Sequence, residues 1–152
     1  MFEHKRVYRM AWIAAEIAYK VHKNQLRKDG SNYLDHIKNV AANFNMGSNR
    51  HIVSLLHDVV EDSDMTIEDL KNEGFSEEIC AAVDSITRRE SEKYFDYIDR
   101  VKINSIARDV KIADLKDNID LSKFKTISND DISRTKRYLK AMQIIKNHIN
   151  EE

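Results

Sequence analysis

Residues 55–62 read Leu55-Leu56-His57-Asp58-Val59-Val60-Glu61-Asp62. A helix turns about 100° per residue, so with His57 at zero, Glu61 falls at about 40°, Asp58 at about 100° and Asp62 at about 140°. All four polar groups share one arc, and Ile52, Val53, Leu56, Val59 and Val60 fill the rest. The pattern predicts a helix from Asn49 to Glu61, dense enough in apolar residues to be central. The simplest account of the arc is a solvated helix face. Two details weigh against it. The arc holds no Lys or Arg, and Asp58 and Asp62 are like charges at i,i+4, a destabilising pair in an isolated helix. Three carboxylates and an imidazole on one face suit a divalent cation.

Outward from this stretch, the chain reads as helices. Residues 6–23 place Val7, Met10, Ala11, Ala14, Ile17, Ala18 and Val21 at spacings of three and four. Arg27-Lys28-Asp29-Gly30-Ser31-Asn32 is a loop with Asp-Gly as its turn signal. A helix from Tyr33 carries Leu34, Ile37, Val40, Ala41 and Phe44 on one side, and Gly47 ends it. Thr66 with Asp69 three residues on reads as a helix start. Residues 77–87 have the stripe Ile79, Val83, Ile86; residues 92–121 make one or two helices, and 131–149 a last one. No segment alternates with period two, so the fold class is all-α, a helical bundle in a single domain spanning residues 1–152.

Composition agrees and excludes several classes. The chain has 152 residues, 41% hydrophobic and 34% charged, with no proline and three glycines. A turn-rich sandwich or barrel needs more of both turn formers. Lys plus Arg number 25 and Asp plus Glu 26, so there is no positive excess to grip nucleic acid. No apolar run approaches the ~20 residues needed to span a bilayer. The polar stretch from Met1 to Met10 lacks the apolar core of a signal peptide, and the lone Cys80 reads as a buried thiol in a reducing compartment. The expected location is cytoplasmic.

A cation beside His57 and Asp58 needs further ligands. His36 lies on the second helix at the edge of its apolar face; alone, it reads as a half-buried histidine. In a helix over 103–118, Ile103, Ile106, Ala107 and Val110 form the stripe, Asp114 continues it, and Asn118 follows one turn later. A carboxylate in line with a core stripe must be metal-bound, salt-bridged or capping a helix, because a bare buried charge costs several kcal/mol. His36, His57, Asp58 and Asp114 together suit a borderline ion such as Mn²⁺ or Fe²⁺ and leave coordination positions open, as metal-assisted hydrolysis requires. Asp117 and Asp120 near a polyanionic substrate are unfavourable unless they point away or face the metal. Trp12 and the tyrosines read as core or edge packing rather than base-stacking platforms.

The text Gln25-Leu26-Arg27-Lys28-Asp29-Gly30, Tyr33-Leu34-Asp35-His36, Leu55 to Ser63, Val110-Lys111-Ile112-Ala113-Asp114 and Asn118 resembles the HD phosphohydrolase superfamily. Within it, the chain resembles the alarmone hydrolase domain of RelA/SpoT-like enzymes and their small stand-alone forms. The resemblance implies an HD-type helical fold holding one Mn²⁺ on His36, His57, Asp58 and Asp114. It implies removal of the 3′-pyrophosphate from guanosine penta- or tetraphosphate, a small-molecule nucleotide, with Glu61 and Asp62 as the catalytic acidic pair. Arg27, Lys28, Asn118, Arg134 and Tyr138 match substrate contacts, and Arg89 a further basic one. Alternatives are the same chemistry on another nucleotide or phosphoester, or a non-catalytic nucleotide-binding module. Without the resemblance, Arg27 and Lys28 read as loop charges, Arg134 as part of a solvated basic face, and Asn118 as a helix exit.

Overall fold

The structure, a computed structural model, describes residues 2–152; the side chains of Val7 and of residues 2–4 fall outside that description. Among the described residues there are nine helices and no strand, with one isolated bridge between Leu26 and Asn32. The helices are α1 (Phe2–His22), α2 (Tyr33–Ala41), α3 (Asn49–Leu56), α4 (Val59–Asp62), α5 (Ile67–Asn72), α6 (Glu77–Ile86), α7 (Tyr94–Val101), α8 (Ser105–Asn118) and α9 (Asn129–Asn150).

Short-range chemistry starts most of them. Asn32, Ser48, Ser76 and Asn104 each accept a backbone N–H at a helix N-terminus. Thr66 with Asp69, and Ser128 with Asp131, form reciprocal capping boxes. Gly30 takes φ +86°, a left-handed conformation that glycine adopts without a Cβ penalty, and closes the 27–32 turn.

α3 is the central element and packs against α1, α2, α6 and α8. Five consecutive residues, Ile52 to Leu56, are buried, so beyond its first turn this helix has no solvent face. Its neighbours supply Ala14, Val40, Val83 and Val110, each fully enclosed. Each large aliphatic chain removed from water in this way contributes about 1.5–3 kcal/mol.

The expected helix from Asn49 to Glu61 is interrupted. α3 ends at Leu56, and Asp58 leaves the helical region at φ −108°, ψ 1° before α4 resumes at Val59. The His57 ring donates from Nδ1 to the Ser54 carbonyl at 2.6 Å, occupying an acceptor of the helix end. Asp58 instead sits in the bridge region, where active-site residues are common. Ile103 is corrected too: it precedes α8 and is 71% exposed. Trp12 is equally exposed on α1, so it is neither core nor packed edge.

Candidate metal centre and cleft

Three separate parts of the chain converge on one point. His36 comes from α2, His57 and Asp58 from the break after α3, and Asp114 from the buried stripe of α8. One donor atom from each of the four lies within 4.8 Å of all the others. His57 Nε2 is 2.9 Å from Asp58 Oδ2 and 3.5 Å from Asp114 Oδ1. His36 Nε2 is 2.9 Å from Asp114 Oδ1 and 3.8 Å from Asp58 Oδ2.

The outer nitrogen of each ring is already committed. A backbone carbonyl can only accept, so His57 carries a proton on Nδ1 and gives it to Ser54 O. His36 Nδ1 lies 2.7 Å from Asp117 Oδ2, the carboxylate–histidine arrangement that orients metal ligands. Both Nε2 atoms are buried and make no aligned hydrogen bond, although carboxylate oxygens stand at 2.9 Å. Adjacent corners of an octahedron with bonds of ~2.1 Å are ~3 Å apart. Unaligned donor atoms at such separations fit a divalent cation between them.

Electrostatics point the same way. Burial opposes protonation of both imidazoles, and the facing carboxylates override it, raising both pKa values. Burial likewise opposes ionisation of Asp58 and Asp114. For Asp58 it is outweighed mainly by His57, and for Asp114 by Lys111 and the two histidines, so both carboxyls stay below their ordinary range. The centre stabilises positive charge. Asp114 is also tied by its Oδ2 to Lys111 Nζ and by its Oδ1 to Asn118 Nδ2, both at 2.9 Å. Its salt-bridge reading and its ligand reading therefore hold together, on different oxygens.

A cavity of about 210 Å³ opens on this cluster, walled by Tyr33, Glu61, Arg88, Tyr94 and Arg137 among others. It adjoins a second of about 290 Å³ lined by Arg27, Lys28, Asn118, Arg134 and Tyr138. Tyr33, Asn118 and Tyr138 belong to both. Glu61 stands at the exposed edge of the first, accepts a hydrogen bond from Arg88 N, and is pushed up by burial to about 7. Asp62 turns the other way: its Oδ2 accepts from Gln25 Nε2 at 3.1 Å, and it lines neither cavity. Arg89 is exposed and pairs with Asp84 at 3.9 Å; its neighbour Arg88 occupies the cavity wall.

A family model described as HD domain matches residues 14–143. The chain belongs to the HD-domain family. It is similar to a probable GTP pyrophosphokinase of Mycobacterium leprae, 35% identical over 97 residues, which cover 62% of this chain and 11% of that protein. A guanosine-3′,5′-bis(diphosphate) 3′-pyrophosphohydrolase of Aquifex aeolicus is 39% identical over 84 residues, 53% of this chain and 12% of that protein. The chain spans 11% to 16% of the length of the curated relatives it matches. Among solved structures, one described as a metazoan orthologue of SpoT that hydrolyses ppGpp superposes with a TM-score of 0.74 at 25% identity, covering 90% of this chain and 84% of that one.

Several residues of this HD domain carry roles that sequence reasoning did not assign. Tyr33 donates from its hydroxyl to Asp58 Oδ2 at 2.7 Å, and its place at the first turn of α2, three residues before His36, is the only local signal. Asp117 holds His36, accepts from Asn39 Nδ2 at 3.0 Å and pairs with Arg27 at 3.1 Å. It therefore does not face the substrate unpaired: it meets the cluster through the outer nitrogen of His36 and is paired with Arg27. Asp120 stays exposed at the rim, accepting from Ser122 N. Arg134 is steered by Asp131 of the α9 capping box into the second cavity. No helix among the described residues is long and apolar enough to cross a membrane.

Proposed function

We propose that this HD domain is a metal-dependent phosphohydrolase that removes the 3′-pyrophosphate of a guanosine polyphosphate. One observation carries the reading. Two inward imidazole nitrogens and two carboxylates, unaligned for hydrogen bonds among themselves, adjoin a cleft with a carboxylate at one edge and Arg27 and Arg134 along its extension. His36, His57, Asp58 and Asp114 would hold one cation; the mixed imidazole–carboxylate set suits a borderline ion such as Mn²⁺ or Fe²⁺, and the family resemblance implies Mn²⁺. Such an ion, when bound, supplies charge that polarises a phosphoryl oxygen and makes water more acidic.

The residues of the chain do the rest. The nucleoside occupies the cavity of Arg27, Lys28, Asn118, Arg134 and Tyr138, and its 3′-phosphate reaches the cluster. Glu61 takes a proton from water as its oxygen joins the phosphorus beside the ribose. The P–O bond to the 3′-oxygen breaks, that oxygen leaves as a hydroxyl after taking a proton from solvent, Glu61 returns the proton it took to solvent, and inorganic pyrophosphate is released. Asp62, the other member of the expected acidic pair, is held by Gln25 outside both cavities, so the proton transfer is assigned to Glu61 alone.

The test is a panel of phosphoesters offered to Mn²⁺-loaded protein, with products resolved by chromatography. Release of pyrophosphate from guanosine 3′,5′-bis(diphosphate) is expected. Turnover confined to other phosphoesters overturns the substrate, and absence of any turnover overturns the enzyme. A second expectation concerns Asp117. Replacing it with asparagine frees the His36 ring, so metal affinity falls about 10- to 100-fold while the fold is kept. Calorimetric titration with Mn²⁺ reads this, and unchanged affinity contradicts the orienting role.

A further inference from the structure

Across the cleft from the ligand cluster, the wall changes sign. It is built from the start of α7, the loop before it and the middle of α9. Two guanidinium groups lie over the Tyr94 ring, Arg88 Cζ 5.6 Å and Arg137 Cζ 5.0 Å from its centroid. Arg137 also lies 5.7 Å from the Tyr138 ring. Stacking on an aromatic face fixes a guanidinium without neutralising it. Among the described residues, neither Arg88 nor Arg137 has a carboxylate within ion-pair distance, whereas Arg27, Arg100, Arg108, Lys111 and Arg134 are all paired. The Tyr94 hydroxyl is buried and has no hydrogen-bond partner. All three residues line the cavity that contains His57 and Asp58.

This wall is also held in place. Arg88 donates from Nε to the Glu92 carbonyl at 2.9 Å, and its own N–H reaches Glu61. Glu92 is gripped by Arg100 at 2.9 and 3.1 Å, and Arg100 also caps the carbonyls of Asp84 and Ser85 at the end of α6. The loop between them contains Ser91 at φ +62°, a conformation uncommon for a residue other than glycine. A constrained loop that presents an arginine without a carboxylate partner, followed at once by an unsatisfied hydroxyl at the start of α7, is built for an acceptor.

We propose that Arg88, Arg137 and the Tyr94 hydroxyl form a second anion subsite, which holds the terminal phosphate of a pyrophosphate group whose inner phosphate lies at the His/Asp cluster. The inference rests on the phosphohydrolase reading and adds a basis for specificity. With the nucleoside in the cavity of Arg27 and Arg134, a chain of two phosphates leaving the cluster on the opposite side meets Arg88 and Arg137. A monophosphate ends at the cluster and meets neither. Charged N–H groups on phosphate oxygens are among the stronger hydrogen bonds. The domain therefore selects pyrophosphorylated over monophosphorylated nucleotides.

The experiment compares wild type, Arg88→Ala, Arg137→Ala and Tyr94→Phe on a nucleoside 3′-pyrophosphate and on the matching 3′-monophosphate. Lys136→Ala, an exposed neighbour on α9, is the control. Each arginine variant is expected to lose about tenfold or more in kcat/KM on the pyrophosphate ester and less than about twofold on the monophosphate. Inhibition by inorganic pyrophosphate, at fixed free metal, weakens in parallel, and inhibition by orthophosphate does not. Equal losses on both esters, or no loss, overturn the subsite. If wild type turns over neither ester, the phosphohydrolase reading fails by itself. Calorimetric titration with inorganic pyrophosphate then decides the subsite, which stands if Arg137→Ala weakens binding and falls if it does not.

Discussion

Asp114→Ala is expected to cost about 3–5 kcal/mol of folding stability in the metal-free protein, and to abolish both metal retention and phosphohydrolase activity. The reason is the number of partners one buried carboxylate serves. Asp114 is 4% exposed and faces Lys111, Asn118, His36 and His57. Its removal strands the ammonium of Lys111, a residue 9% exposed whose Nζ otherwise lies 5.1 Å from the centre of the Tyr97 ring, with no other carboxylate in ion-pair reach among the described residues. An uncompensated buried charge is more costly than the loss of a favourable pair. The double variant Lys111→Met, Asp114→Asn removes both charges and should recover a large part of the stability without recovering metal. Urea unfolding and elemental analysis of the purified variants read the two effects. A single variant destabilised by less than about 1 kcal/mol, or one that still retains metal, contradicts the shared role.

Glu61→Gln should leave metal content and stability near wild type and lower the rate by about 10²- to 10⁴-fold, the range for loss of a general base. Glu61 touches the rest of the protein mainly through Arg88 N, a bond that a glutamine oxygen can also accept. Burial pushes its carboxyl up to about 7 against that hydrogen bond. The working form of a base is the carboxylate, so the wild-type rate should climb with pH and level off at or below about 7, because a cation in the cluster can only lower that value. The glutamine variant should lose this limb. A rate within tenfold of wild type, with the ascending limb intact, would transfer the role elsewhere, first to Asp62.

Much of the framework was legible because its causes are local. Helix periodicity, the Thr66–Asp69 box and the Asp-Gly turn act over four residues or fewer; the box and the turn appear where the sequence places them, and so do the helices apart from the break at Asp58 and the later start of α8. The fourth member of the cluster was legible for a related reason: Asp114 continues an apolar stripe, and a carboxylate in that position needs partners. Other features depend on contacts distant in sequence. The break at Asp58 carries no Gly or Pro, and it reflects a ring-to-carbonyl bond together with attraction to Tyr33 and the histidines.

Two pairs of neighbours make the same point. Glu61 and Asp62 look equivalent in sequence, yet one faces the cleft and the other Gln25, thirty-seven residues earlier in the chain. Arg88 and Arg89 are likewise interchangeable by composition, and both are exposed, but the Glu92 carbonyl holds the first on the wall of the cleft while the second pairs with Asp84. Asp117 looked like a liability beside an anion until α2 brought His36 against it across eighty-one residues.

The amino-acid sequence alone determined that this chain is a helical bundle and which histidines and aspartates are available to a cation, because hydrophobic period and capping act within single turns. Only the tertiary structure decided where each of those side chains points, since direction is settled by partners that the chain meets after it has folded back on itself.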